Sequence, residues 1–269
     1  MKFKIIALFL FLTANLIGQK TSIVTWNLKD FGKSRDDQEI HNIALQLRDH
    51  DLVAIQEIVA KDIGGSQAVA RLVDELDRMG ANWDYVISDP TQGYSGQRSE
   101  RYAYLWKTKH IKKIGRPFLV NALQNKLIRE PYYAIFEIRG KEIHLLNFHS
   151  QRHDEDPASE VAAITSLLLA NPQNNWILLG DFNMNESHPC FKPLYNAGFK
   201  AALHNQKTTL KKKCVDGEYL YHAIDNIYYK LSNLSLAGSG VIDFVKDCEQ
   251  LSLVRDGYSD HLGVWGEVE

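Results

Sequence analysis

Residues able to bind a metal or move a proton recur where the apolar runs of this sequence stop. Asn27 follows Val24-Thr25-Trp26, and Glu57 closes the run Leu52 to Gln56. His149 follows Leu145-Leu146-Asn147-Phe148, and Asp181 and Asn183 follow Trp176 to Gly180. Asp225 and Asn226 interrupt another apolar stretch, and Asp260 and His261 precede the last one. A carboxylate beside a buried strand is costly unless it is paired or metal-bound. Such a habit, repeated at six strand ends, predicts one polar cluster at one end of a β-rich fold.

The chemistry of that cluster follows from its atoms. Carboxylate and amide oxygens are hard ligands that suit Mg²⁺, with Mn²⁺ or Ca²⁺ as alternatives. The cysteines are not spaced as a zinc site, and neither His-Glu-x-x-His, Gly-x-Ser-x-Gly nor a Walker loop occurs. Oxygen-bound Mg²⁺ acts as a Lewis acid on phosphoryl oxygens. Two histidines can move protons or donate hydrogen bonds to a phosphate. Together these groups point to hydrolysis of a phosphate ester. Taken singly, Asn27 could cap a strand end, Glu57 could be a surface acid, and His149 and His261 could be structural.

The ordered set Trp26-Asn27, Gln56-Glu57, His149, Gly180-Asp181-Phe182-Asn183, Asp225-Asn226 and Ser259-Asp260-His261 resembles the endonuclease/exonuclease/phosphatase family, from near one end of the chain to the other. Ser99-Glu100-Arg101-Tyr102 and Arg129-Glu130-Pro131 are similar to its deoxyribonuclease I branch. The resemblance implies that Glu57, Asn27 and Asp260 hold the metal, and that Asp181 and Asn183 position the phosphate or the attacking water. It implies two oriented imidazole–carboxylate pairs, His149 with Glu100 and His261 with Asp225. Each carboxylate would fix the ring tautomer and raise the histidine pKa. Arg129 would contact DNA phosphate. Tyr94, Arg98 and Arg101 lie in or beside the loop Gly93 to Gly96, and an arginine or tyrosine there could enter a minor groove. The plainer alternatives are an ordinary ion pair for Glu100 and Arg101, rim scaffolding for Arg129, and a solvated loop. His41, His50, His110, His144, His153, His188, His204 and His222 carry no catalytic signal. Val59 stands where that branch has a groove-reading arginine, and its calcium-binding loops find no match here.

Several elements must position these groups. Ser22 to Leu28, Leu52 to Gln56, Tyr102 to Trp106, Tyr132 to Ile138, Ile143 to Phe148, Trp176 to Leu179, Ile224 to Tyr229 and Leu262 to Val268 read as strands. Ile40, Ile43, Ala44 and Leu47 share a helical face, with Ser34 as a possible N-cap. Val69, Leu72, Val73 and Leu76 share another, ended by Gly80. Val161, Ile164, Leu167 and Leu168 form a third, with Asp156 as N-cap and Pro157 at the first helical position. The central strands are apolar on nearly every residue and are expected to be buried on both faces. Strands with too few helices for strict alternation predict an α+β fold. Its expected form is a four-layer α/β sandwich of two packed, mainly antiparallel sheets flanked by helices.

The first 18 residues read as a secretory signal: Lys2 and Lys4 precede the apolar run Ile5 to Leu12, and Gly18 offers a cleavage site. Residues 19–269 are expected to form a single domain, secreted or periplasmic and monomeric, without stable membrane insertion. Removing Lys2 and Lys4 takes the formal charge from −2 to −4, so DNA contact needs a local basic patch. Lys207 and Lys211 to Lys213 form one positive run, though a solvated face is the commoner explanation. The three cysteines predict one disulfide, with Cys190 and Cys214 the expected pair and three free thiols the alternative. The expected activity is that of a secreted metal-dependent endonuclease acting on DNA. The alternatives are an abasic-site endonuclease, a sphingomyelinase-like hydrolase of a lipid or small phosphodiester, and a catalytically silent binding module.

Overall fold

The computed structural model describes residues 20–93, 98–172 and 175–269. The expected signal segment and Tyr94 lie outside the described residues. In chain order the strands are β1 (Thr21–Phe31), β2 (Leu52–Val59), β3 (Trp83–Ile87), β4 (Glu100–Lys107), β5 (Ile111–Leu119), β6 (Tyr132–Ile138), β7 (Lys141–His149), β8 (Trp176–Asp181), β9 (Lys200–Ala201), β10 (Leu210–Val215), β11 (Glu218–Leu220), β12 (Asp225–Lys230), β13 (Leu236–Ile242) and β14 (Gly263–Val268). The helices are α1 (Asp37–Leu47), α2 (Gly64–Arg78), α3 (Pro157–Leu169), α4 (Lys192–Asn196) and α5 (Leu251–Gly257). One six-stranded sheet has the order β13-β14-β1-β2-β4-β3, the other β5-β6-β7-β8-β12-β9, and β10 and β11 form a separate hairpin.

Each large sheet contains one parallel pair, β1 with β2 and β7 with β8, among antiparallel neighbours. Ligand sites in open sheets form beyond the carboxyl ends of parallel strands. Here those ends carry Asn27, Glu57, His149 and Asp181.

The sheets pack face to face through Ile23, Leu52, Ala54, Tyr104, Phe136 and Leu145, among other side chains. The opposite face of the first sheet is covered by the apolar stripes of α1, α2 and α5. That of the second is covered by α3 and α4, with Trp176 in this outer layer and Trp106 between the sheets. The expected four layers are therefore present. Helix α1 starts at a capping box: Asp36 accepts from the Glu39 amide while the Glu39 side chain accepts from the Asp36 amide. Asp36, not Ser34, is thus the N-cap. Asp156 caps α3 and Pro157 opens it, as the sequence predicts.

A bulge sets the site. Val53 and Ile55 of β2 face the helices, and strict alternation would put residue 57 beside them. Instead Ile58 joins that core, because Ile55 pairs with Ala103 and Ile58 with Arg101, leaving two residues opposite one. Glu57 takes the left-handed conformation needed, φ 60°. Gly180 has a different necessity. A Cβ there would lie 1.8 Å from the Phe148 carbonyl oxygen, so no larger residue lets β8 sit this close to β7 just before Asp181.

The disulfide joins Cys214 to Cys248, not Cys190 to Cys214. Cys214 on β10 packs against the core beneath the first sheet, whereas Cys190 packs in the outer layer of the second. The two are on opposite halves of the sandwich and cannot meet. Cys190 is a half-buried free thiol. Thiol titration of unreduced protein should find one reactive group once unfolded, none in Cys190→Ser and two in Cys248→Ser. Cys248→Ser should also lose about 2–4 kcal/mol of stability in chemical denaturation. An unchanged thiol count in Cys190→Ser would contradict this pairing.

Candidate active site

The ends of the central strands bring the predicted polar residues together. β7 and β8 place His149 directly opposite Asp181, and β12 places Asp225 opposite Asp181 on the other side. His149 donates from Nδ1 to Glu100 Oε2 (2.9 Å), and its Nε2 lies 3.6 Å from Asp181 Oδ2. His261 mirrors this arrangement: Nδ1 donates to Asp225 Oδ2 (2.9 Å), and Nε2 lies 3.8 Å from the same Asp181 oxygen. Two carboxylate-anchored imidazoles thus aim their free nitrogens at one carboxylate. Asn27 Nδ2 donates to Asp181 Oδ2 (3.2 Å) and Glu57 Oε1 (2.9 Å), linking the two sheets at that point. The Asn183 amide, in a left-handed turn with φ 48°, donates to Asp181 Oδ1 (2.8 Å). Below the site Gln56 donates to Thr25 Oγ1 and Asn147 Oδ1, a buried polar floor between the sheets.

The charges are coupled. Burial and Arg129 oppose an imidazolium at His149, but Glu100 and then Asp181 outweigh them and raise its pKa. At His261 burial is again outweighed, by Asp225 and then Asp181, and the pKa is pushed up to about 10. Burial keeps Asp225 above the usual carboxylate range although His261 pulls it down. His261 also faces Asp181 and Asp260, which favour its charged form further. A group whose folded pKa is raised stabilises the fold below its unfolded pKa and ceases to do so as pH rises through the folded one. The His261 contribution is therefore complete below about pH 6.5 and is lost towards about 10. In chelator, an NMR titration should place the His261 ring well above an ordinary histidine, and Asp225→Asn should lower its midpoint. His50, which burial pushes down, should titrate below the usual range. A His261 midpoint at or below that of His50 would refute this electrostatic account.

Residues 24–261 match the endonuclease/exonuclease/phosphatase family. The chain belongs to that family. A deoxyribonuclease of Thioalkalivibrio sp. (strain K90mix) is 27% identical over 264 residues, covering 90% of this chain and 69% of the relative. Among solved structures, a family protein from Leptotrichia buccalis superposes with a TM-score of 0.66 at 19% identity, over 93% of this chain and 99% of that one. A mannosyl-6-phosphatase from Bacteroides thetaiotaomicron superposes with a TM-score of 0.62 at 17% identity, over 93% and 99%. Such distant likenesses establish the fold and leave the substrate open. The endonuclease/exonuclease/phosphatase family comprises hydrolases of phosphate esters, and the strand-end cluster supplies the groups such hydrolysis uses.

Within this family frame several predicted residues are placed differently from expectation. Arg129 is 6% exposed and faces inward. It donates to the backbone oxygens of His149 and Ser150 and lies 3.5 Å from Glu100. It thereby holds His149 and the Glu100 carboxylate in place, the scaffolding role, while also lining the cleft beside Glu57. Arg101 is turned to the other face of β4 from Glu100 and donates to the Ser88 carbonyl oxygen, so β-alternation removes it from the site. Asp260 is already neutralised by Lys29 (3.2 Å) and Arg255 (2.8 Å), which a metal would have to displace. Burial opposes its charge, but His261, Lys29 and Arg255 hold its carboxyl below the usual range.

The donor set fits a hard divalent ion. Asp181, Asp225 and His261 bring ligand atoms within 4.8 Å of one another, and since Asp225 and His261 hold each other, Asp181 is the member left to a cation. Glu57 lies beside them, joined to Asp181 through the Asn27 amide. Carboxylate oxygens gathered this closely are stabilised by a shared cation. Other participants escaped the sequence reading. Thr208 donates to Asp225 Oδ2 (2.6 Å) from within a stretch that reads only as basic. His153 and His222, whose ring centroids are 5.8 Å apart, line a recess of about 320 Å³ with Asn183. A cleft of about 600 Å³ on the Glu57 side is lined by Glu100, Arg129 and His149, with Lys61 and Arg98. Lone histidines in loops have no periodicity to betray such convergence.

Proposed function

We propose that this protein is a secreted, Mg²⁺-dependent endonuclease that hydrolyses phosphodiester bonds of DNA as a monomer. The observation that carries the reading is the pair of carboxylate-held histidines converging on Asp181 from both sides, at 3.6 and 3.8 Å. A diester needs charge stabilised on the phosphate, an oriented water and a protonated leaving oxygen. Bound beside Glu57, Asn27 and Asp181, the ion would act as a Lewis acid on the phosphoryl group. His149 and His261 would hydrogen-bond the phosphate or move a proton at its attacking and leaving oxygens. Glu100 and Asp225 would hold the rings, and Asp181 and Asn183 would position the phosphate or water. DNA as the substrate is supported by the relative that is named a deoxyribonuclease. An oxidising compartment is supported by the Cys214–Cys248 disulfide. No helix among the described residues is long and apolar enough to cross a membrane.

The test is incubation of the protein with supercoiled plasmid, linear DNA, RNA and sphingomyelin, with Mg²⁺ and with chelator. Metal-dependent nicking of plasmid is the expected result. Cleavage of lipid but not DNA would replace this reading with the sphingomyelinase-like one, and silence on every substrate would leave a binding module.

A further inference from the structure

The β10–β11 hairpin borders a further cavity, open to solvent and of about 790 Å³, that His261 also lines. Lys211, Lys213, Val215 and Tyr221 line it together with Arg255 and Asp260. The hairpin is firmly placed. Its base is bonded to the loop that carries His261, through the Leu210 amide and the Asp260 carbonyl oxygen (2.8 Å) and a bridge from Thr209 to His261. Its tip side is tied down by the disulfide from Cys214 to Cys248. Tyr221 is 56% exposed and Val215 54% exposed at this rim. The Tyr221 ring rests 3.6 Å from that of His222, which fixes its position while leaving much of its area to solvent.

A solvated lysine face requires neither an exposed aromatic nor a cavity that opens onto a catalytic imidazole. An aromatic surface flanked by cations along a groove is the arrangement that holds single-stranded nucleic acid, where bases stack and phosphates are neutralised. We propose that this cavity is a nucleotide subsite. It takes a DNA nucleotide flanking the scissile phosphate, stacks its base on Tyr221, and neutralises adjoining phosphates with Lys211 and Lys213. The inference rests on the reading of the substrate as DNA, and it makes the preferred substrate a polynucleotide rather than an isolated phosphodiester.

Fluorescence anisotropy of a labelled oligothymidylate, measured in chelator so that nothing is cut, separates binding from catalysis. Tyr221→Ala should raise Kd roughly tenfold, the effect of losing one base–aromatic stack, while Tyr221→Phe stays within about twofold of wild type. Lys211→Gln/Lys213→Gln should flatten the slope of log Kd against log salt by about 1.4, as expected for two lost phosphate contacts on a single strand. None of these variants should change turnover of bis(p-nitrophenyl) phosphate, which lacks both a nucleobase and a second phosphate. Unchanged Kd and salt slope in the variants, in a protein that nicks plasmid, would overturn the subsite and leave the nuclease reading standing. A wild-type protein that hydrolyses bis(p-nitrophenyl) phosphate but neither binds nor cuts DNA would overturn both.

Discussion

His149→Ala should keep its fold and lose roughly 10²–10⁴-fold in kcat, the range supplied by one positioned acid or base. The reason for separating fold from turnover lies in the partners left behind. Glu100 loses its imidazole but keeps Arg129 at 3.5 Å and the Glu57 amide at 3.3 Å, so no buried charge is left unpaired. His261→Ala should lose activity alike but also some stability around neutral pH, since Asp225 retains only the neutral Thr208 hydroxyl at 2.6 Å. If the two rings act in one transition state, the double variant should be far less impaired than the product of the single losses, because residues acting as a unit are not additive. Turnover on plasmid and on bis(p-nitrophenyl) phosphate, with circular dichroism as the fold control, reads all three proteins. A His149→Ala enzyme within about fivefold of wild type would remove this histidine from the proton-transfer role assigned to it.

The other large effect concerns Glu57. Glu57→Gln should lower kcat/KM by at least about 100-fold at fixed Mg²⁺, since a metal ion contributes several kcal/mol to charge stabilisation at a phosphoryl group and about 1.4 kcal/mol is tenfold in rate. Part of the loss should return at high Mg²⁺ or Mn²⁺, because the amide weakens ion binding without emptying the space. The bulge that presents Glu57 makes the substitution mild for the fold. Its backbone amide still donates to Glu100, and its side chain is only half-buried. Isothermal titration with Mn²⁺ should show weakened affinity in Glu57→Gln and little change in Asp260→Asn, whose carboxylate is held by Lys29 and Arg255. The reverse ranking would return the principal ligand role to Asp260.

How far the site can be read from sequence depends on which physical signal each residue leaves. Asn27, Glu57, His149, Asp181, Asp225 and His261 each stand at the end of an apolar run, where a polar group is conspicuous. Their convergence follows from burying those runs in neighbouring strands. Arg101 and Arg129 leave no such signal. Arg101 adjoins a loop read as groove-entering and Arg129 matches a phosphate contact by resemblance, but β-alternation turns Arg101 away, and Arg129 also serves the backbone of His149 and Ser150. The apolar-rich central strands were legible. Edge strands such as β5, with Gly115 and Pro117, and β13, with Gly238 and Gly240, were not, since they need only one paired neighbour and carry little buried surface.

The sequence alone determined which polar residues stand at the ends of the buried strands. The hydrophobic periods specify which segments are buried, and burial restricts the polar residues at their ends to roles in which their charge is paired or bound. Only the tertiary structure decided which charges meet. Cys214 finds Cys248 because both belong to the same half of the sandwich. Asp260 finds Lys29 across the chain. The hairpin carrying Tyr221 comes to rest against His261. These pairings depend on sheet order, register and one bulged residue. Such features arise from long-range packing, which local residue patterns do not encode.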